Sequence, residues 1–195
     1  MSKDNLIIEL RKRLKGPLDW LVPELEELFK FQGGVVGGET LRIGLNQKYQ
    51  SGYAACVLHG PMRGTGDRAS IPSAYFEVLQ SFNGAKLFAT NLFGMLEEES
   101  NQRRCLSLEA ANTLWINGYS RLPANSFHFG VRTFSWTENI GYFYDESHRV
   151  YSARQSGEIL KRWPSFEAML REEWEPSKRV ELEMRERAAQ PLQAS

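Results

Sequence analysis

The stretch from Ile71 to Gly94 reads I-P-S-A-Y-F-E-V-L-Q-S-F-N-G-A-K-L-F-A-T-N-L-F-G and decides the fold. Pro72 suits a first helical turn, because the N–H that it lacks would have no partner there. Four apolar residues follow at the i, i+3, i+4 and i+7 spacing of a buried helical stripe, namely Tyr75, Val78, Leu79 and Phe82. Asn83-Gly84 then predicts a helix end, since glycine enters the left-handed conformation without a Cβ penalty. A hairpin turn is the alternative at Asn83-Gly84, but the stripe before it favours a helix cap.

The sequence before this stretch predicts two helices and two strands. Apolar residues at helical spacing predict a helix that ends before Gly16-Pro17, and a second one begins near Pro23 and closes at Gly33-Gly34. Alternating apolar residues around Ile43 and the apolar run 53–58 predict strands.

The sequence after it predicts a helix, a β-meander and a last helix. Ser107 is placed to cap a helix that runs through Trp115 and ends at Asn117-Gly118. Aromatic and β-branched residues predict three strands at 127–134, 140–144 and 149–151, and Pro164-Ser165 begins the last helix. These elements predict one α+β domain, with a mixed or antiparallel sheet flanked by helices. We expect an N-terminal helical segment at 1–34, the core at 35–176, and a charged tail at 177–195 that is too polar to be held down.

Composition limits the classes of function. Among the 195 residues, lysine plus arginine number 24 and aspartate plus glutamate number 24, so no global charge favours nucleic acid. No run approaches the ~18 apolar residues of a membrane span, and the start lacks the apolar core of a signal peptide. Cys56 and Cys105 are too few for a disulfide framework or a zinc site. We therefore expect a cytoplasmic protein with reduced thiols and without a cofactor.

Catalytic and metal-binding patterns are weak. Cys56 and His59 could be offered as a nucleophile and base, but a buried strand cysteine with a histidine at the strand end is favoured. His128 and His148 could converge on a metal, yet no third ligand is recognisable, which favours a surface histidine at each position. We predict that the chain is not an enzyme and has no metal site. A small enzyme that uses Cys56 or His128 remains an alternative.

Several of these residues resemble a known family. Its core motif matches Ile71, Pro72, Tyr75, Leu79, Asn83, Gly84 and the later Leu92-Phe93-Gly94. Further matches lie at 139–145, 149–151 and 165–170. The chain resembles the SUKH superfamily, which includes yeast cell-wall-assembly regulators and many bacterial immunity proteins. The resemblance covers roughly residues 71–174. It departs upstream, where members usually carry a Trp-containing helix and a Glu-rich helix, whereas 60–67 here reads as a loop.

The resemblance implies stoichiometric binding of another protein. The expected function is that of a bacterial immunity protein, which neutralises a cognate polymorphic or contact-dependent toxin by occluding it. A regulatory scaffold or adaptor of the same fold is the alternative. The candidate binding residues are local acids and one outward aromatic residue, namely Glu97, Glu98, Glu99, Asp145, Glu146 and Trp136. Acids of this kind would speed the encounter with a basic toxin, although a solvated loop residue is an equally good interpretation of each acid alone.

Overall fold

The computed structural model describes residues 3–45, 54–63, 70–95, 107–133 and 139–189. Nine strands in these residues form one antiparallel sheet, and their spatial order equals their order in the chain. The strands are β1 (Gly34–Gly37), β2 (Thr40–Leu45), β3 (Ala54–Leu58), β4 (Ala85–Leu87), β5 (Thr90–Leu92), β6 (Phe127–Thr133), β7 (Asn139–Tyr144), β8 (Val150–Arg154) and β9 (Ile159–Trp163). The α-helices are α1 (Lys3–Arg13), α2 (Leu21–Gln32), α3 (Ser73–Ser81), α4 (Leu108–Thr113) and α5 (Phe166–Ala189), with 3₁₀ turns at Gly16–Leu18 and Trp115–Gly118.

The predicted α+β class is confirmed, and the sheet is antiparallel rather than mixed. No helix in the described ranges combines the length and the apolar character that crossing a membrane requires.

Helix α3 has the buried stripe that its sequence predicts. Tyr75, Val78 and Leu79 are buried, and Phe82, which caps the helix in an extended conformation, is buried as well. Gly84 has a φ of 84°, in the left-handed region that glycine adopts most easily. The helix thus ends just before Asn83-Gly84 and no hairpin turn lies there, but the C-cap residue is Phe82 rather than the predicted Asn83-Gly84.

The residues of the family-like motif attach α3 to the sheet. The Tyr75 hydroxyl lies 2.6 Å from the carbonyl oxygen of Phe93. The Asn83 side chain donates to the carbonyl oxygen of Met95 at 2.9 Å and accepts from its N–H at 2.6 Å. A Cβ at Gly94 would lie 2.5 Å from the carbonyl oxygen of Asn83, so only glycine fits there. Each of these residues thus serves the packing of α3 on the strands.

The sheet has two differently covered faces. We call one the helical face, because α1, α2, α3 and α5 pack on it and form the main core with residues such as Ile43, Leu92 and Tyr142. We call the other the outer face. On its β7–β8 part lies a small separate cluster, which side chains from residues 116–122 cover. The cluster consists of Phe143, Tyr151 and Ala153, with Ile116, Tyr119, Leu122 and Ile159 packed against it.

The two N-terminal helices belong to the main core. Leu10, Leu21 and Leu25 are fully buried and share one apolar cluster with the strand residues Leu41 and Ile43. Strand β1 follows α2 directly after Gly33, whose φ of 73° ends the helix as predicted. The N-terminal segment 1–34 and the core that begins at residue 35 therefore share one apolar cluster.

The prediction of an unanchored tail from residue 177 is wrong for residues 177–189. Helix α5 continues through Pro176 to Ala189, although a proline inside a helix costs about 3 kcal/mol. Tertiary contacts offset this cost. The Ser177 hydroxyl donates to the carbonyl oxygen of Leu87 at 2.8 Å and accepts from the N–H of Thr90 at 2.9 Å. One turn further along, Glu181 is buried and pairs with Lys86 at 3.1 Å.

Strand β9 was not predicted, because its middle is polar. Lys161 and Arg162 are exposed and interrupt the apolar pattern that marks other strands. They lie on an edge of the sheet, where charged side chains discourage pairing with another chain. The indole N–H of Trp163 donates to Glu172 at 2.9 Å, which joins this edge to α5.

Candidate functional site

Cys56 lies in the interior of β3 and has no access to solvent. It is fully buried between the neighbouring strands β2 and β4, as the sequence predicted for a strand cysteine. Burial raises the pKa of the Cys56 thiol to about 12. The thiol is therefore protonated at neutral pH and is a poor nucleophile.

His128 contradicts the prediction of a surface histidine. Its side chain is 2% exposed, and its ring stacks on Phe143 with centroids 4.5 Å apart. The rings of Phe93 and Tyr119 meet it edge-on at 5.0 and 5.2 Å. This apolar burial lowers the pKa of His128 to about 4, so the imidazole is neutral at neutral pH. His148 is exposed in the β7–β8 turn, as predicted.

The two histidines do not form a metal centre. In the parts of the chain that the structure describes, no cluster of three or more His, Cys, Asp or Glu residues is arranged to hold a metal ion. His128 is enclosed by rings on the outer face, whereas His148 faces solvent in a turn with a φ of 58°.

The acidic pair Asp145 and Glu146 divides into two roles. The Asp145 side chain is 9% exposed and accepts from the N–H groups of Ser147 and Arg149 at 2.9 and 3.0 Å. Burial alone would raise the pKa of Asp145, but these hydrogen bonds and the Arg149 charge outweigh it and lower the pKa. Asp145 therefore holds the β7–β8 turn together. Glu146 is exposed and accepts only a long bond of 3.3 Å from Asn125, so it remains the candidate for contact with a partner.

The other predicted binding residues, Glu97, Glu98, Glu99 and Trp136, lie outside the described residues. The structure instead exposes an adjacent apolar pair after α4. Leu114 is 67% exposed and Trp115 is 39% exposed. We call this pair the Leu114–Trp115 surface. The sequence prediction carried α4 through Trp115, but the helix ends at Thr113 and the chain enters a 3₁₀ turn.

Hydrogen bonds and ring packing hold the Leu114–Trp115 surface in place. The Ser107 hydroxyl caps α4 by accepting from the N–H of Ala110 at 3.1 Å. The Asn112 side chain donates to the carbonyl oxygen of His128 at 2.9 Å and accepts from its N–H at 2.8 Å. The Trp115 ring packs edge-on against Phe93 with centroids 5.5 Å apart. Strand β6 thus fixes the position of α4 and of the apolar pair that follows it.

A signal for this surface was present in the sequence. Leu114, Trp115 and Ile116 are three consecutive apolar residues, and a helix cannot turn three consecutive side chains toward one core. Ile116 takes the inward position against the outer-face cluster, which leaves the two residues before it outside.

Comparison of the chain with protein-family models, with curated proteins and with solved structures gives no match to any of them. The roles described for Asp145, His128 and the Leu114–Trp115 surface therefore come from their own geometry.

Proposed function

We propose that the chain is a stoichiometric protein-binding module of the SUKH type, which acts in the cytoplasm as an immunity protein and covers a cognate toxin. The observation that carries the binding role is the exposed Leu114–Trp115 surface on a fixed support. Tryptophan is enriched among the residues that dominate binding energy at protein interfaces. An exposed leucine and tryptophan side by side offer apolar area that a partner can remove from water.

Fixed geometry supports binding by limiting its entropic cost. Immobilising a side chain at an interface costs about 0.5–1.5 kcal/mol, and a ring already packed on a neighbour loses less freedom. Trp115 already rests on Phe93, and α4 is already held by Asn112. The surface can therefore engage a partner without first being ordered.

Local acids would add speed and selectivity toward a basic toxin. Glu146 is exposed, and Glu97, Glu98 and Glu99 are the other acidic candidates of the sequence. Complementary charges act mainly on the association rate and are screened by salt. A scaffold or adaptor would use the same surface. The enzyme alternative lacks support, because Cys56 and His128 are both buried away from solvent.

The test is binding to a purified toxin domain encoded beside this gene. We expect the double variant Leu114→Ala, Trp115→Ala to bind at least tenfold more weakly, mainly through faster dissociation. Phe31→Ala is the matched control, because Phe31 is 79% exposed at the end of α2 and should not change affinity. A folded double variant with unchanged affinity would reject the Leu114–Trp115 surface. Failure of the wild-type chain to protect cells that produce the toxin domain would reject the immunity role.

A further inference from the structure

The two edges of the sheet differ in the charges that they carry. Among the described residues, no strand lies beyond β1 at one edge or beyond β9 at the other. The β9 edge carries Lys161 and Arg162, which discourage pairing with another chain. Strand β1 reads G-V-V-G and has no charged residue. Its Val35 side chain is 43% exposed, so an apolar group meets water at an edge that its own strand does not protect with charge.

The hydrogen-bond pattern of β1 fixes which of its backbone groups face away from the sheet. The N–H of Gly44 donates to the carbonyl oxygen of Gly33 at 2.9 Å. Hydrogen-bonded and non-hydrogen-bonded pairs alternate along an antiparallel ladder, so Val35, two residues after Gly33, also bonds β2. The N–H and C=O groups of Gly34 and Val36 therefore point to the open edge.

These outward groups match a second copy of the same strand. When two β1 strands run antiparallel with Val35 opposite Val35 of the second copy, Gly34 of each copy faces Val36 of the other. Both of these pairs can exchange N–H to C=O hydrogen bonds. The central valines form a non-hydrogen-bonded pair, in which the Cα atoms lie about 4.5 Å apart and the side chains are close. Two exposed valines thereby cover each other.

The charges around this edge do not oppose an identical copy. Glu39, in the turn after β1, pairs with Arg63. Arg13, which donates to the carbonyl oxygen of Glu39, pairs with Glu9. Lys30 lies before β1 in the last turn of α2, so antiparallel pairing places the lysines of the two copies at opposite ends of the contact. A strongly charged foreign strand would find no matching charge on β1 itself.

We propose that β1 pairs with β1 of a second copy, so that two chains share one continuous antiparallel sheet about a two-fold axis at Val35. The axis is perpendicular to the sheet, so the outer faces of both copies lie on the same side. Strand β6, which holds α4, is five strands from β1, or about 24 Å at roughly 4.8 Å per strand. The Leu114–Trp115 surface of each copy therefore stays open, and the pair goes beyond the proposed function by presenting that surface twice.

Sedimentation equilibrium of the full chain tests the pairing at concentrations from about 5 to 500 μM. We expect a monomer–dimer equilibrium with a Kd of about 10–100 μM, because a contact of this small area is weak. Val35→Lys should weaken the dimer at least tenfold, since it sets two like charges opposite each other at the axis. Leu160→Lys is the matched control, because it adds the same charge at an exposed residue of β9 and should leave the Kd unchanged. Thermal melts check that both variants are folded.

Disulfide trapping tests the register of the two strands. Val35→Cys, made together with Cys105→Ser, should form a linked dimer under mild oxidation, because the paired Cα atoms lie within the distance that a disulfide spans. The remaining Cys56 is buried in β3 and does not compete. Leu160→Cys in the same background should not form a linked dimer.

Four results would overturn the inference or part of it. A wild-type chain that stays monomeric throughout the concentration range would overturn the dimer, and an equal loss in Val35→Lys and Leu160→Lys would remove the contact from β1. A dimer that Val35→Cys fails to trap would overturn the register. A monomeric chain whose toxin complex weakens in Val35→Lys would assign the edge to the toxin instead. Sedimentation and trapping need no toxin, so their failure is distinct from failure of the proposed function.

Discussion

The helical face and the outer face of the sheet are covered by different kinds of contact. On the helical face, the buried Glu173 carboxylate of α5 pairs with Arg132 and accepts from the Tyr142 hydroxyl at 2.6 Å. On the outer face, the His128 ring packs against the rings of Phe93, Tyr119 and Phe143. Deleting one member of a buried ion pair leaves an uncompensated charge, whereas a buried neutral histidine resists protonation. We infer that stability depends chiefly on the first face and that sensitivity to solution conditions lies in the second.

Removing Glu173 should give the largest loss of stability. Its side chain is 11% exposed, so Glu173→Ala would leave the equally buried Arg132 without this ion pair. Breaking a buried pair by deleting one partner costs about 3–5 kcal/mol. Urea unfolding measures the change. The control Glu175→Ala alters a carboxylate that is 65% exposed and should shift stability by no more than about 0.5 kcal/mol. A loss below about 1 kcal/mol in Glu173→Ala would contradict the role given to the helical face.

Acidification should give the second largest loss in the free energy of unfolding, through protonation of His128 on the outer face. The pKa of His128 is about 4 in the folded chain and 6.5 in an unperturbed histidine. Between these values the unfolded chain binds the extra proton, so stability is full above pH 6.5 and declines as the pH falls toward 4. The total decline is roughly 3 kcal/mol. Urea unfolding at pH 7.5 and pH 4.5 should show it in the wild-type chain.

The matched variant for this effect is His128→Phe, which keeps a ring in place and should lose this part of the pH dependence. An NMR titration provides a reading that does not depend on the variant folding. The His128 imidazole should stay neutral until the pH falls to about 4, and its ring signals should then shift. Equal pH dependence in the wild-type chain and the variant would show that the outer face is not the sensitive one.

A substitution at Gly84 tests the connection between α3, which packs on the helical face, and β4. A β-branched residue would have to adopt a φ of 84°, which should cost about 1–3 kcal/mol in Gly84→Val. Gly118→Val is the control, since its φ is not positive and a Cβ there meets no atom within 4 Å. Thermal melts of both variants measure the effect. Equal melting temperatures would mean that the turn after α3 is not constrained by its backbone.

The smallest expected change in stability comes from the turn between β7 and β8, where Asp145 and Glu146 should differ. Asp145→Ala removes two backbone hydrogen bonds and should cost about 1–2 kcal/mol. Glu146→Ala should stay within about 0.5 kcal/mol. Urea unfolding of the two variants gives the comparison. If Glu146→Ala proved the more destabilising, the assignment of roles within the pair would be reversed.

Local features of the structure could be predicted from sequence because their causes are local. The stripe of α3 follows from helical periodicity, and the positive φ at Gly33 and Gly84 follows from the absence of a side chain. The Ser107 cap is likewise a contact over three residues. Such signals need no knowledge of distant segments.

The predictions that proved wrong for His128 and for the tail were overturned by contacts between residues far apart in the sequence. His128 looks polar in its own strand, and its burial arises from Phe93 and Tyr119, which reach it from other segments. Residues after Pro176 look like a solvated tail, but Ser177 meets Leu87 across a separation of 90 residues. Periodicity and composition do not report contacts of this range. The candidate site was missed for a local reason, because the helix prediction ran through Trp115 whereas α4 ends at Thr113 and leaves Trp115 partly exposed.

The anchoring of α5 on the β4–β5 hairpin has a consequence for synthesis on the ribosome. Each strand can pair with its predecessor as it emerges, because the sheet follows chain order. Ser177, however, is translated 90 residues after Leu87. At about 5–20 residues per second, Thr90 in the middle strand β5 waits roughly 4–17 s for its hydrogen-bond partner Ser177. Until the last helix has been made, the N–H of Thr90 and the carbonyl oxygen of Leu87 lack the Ser177 hydroxyl that they bond in the folded chain.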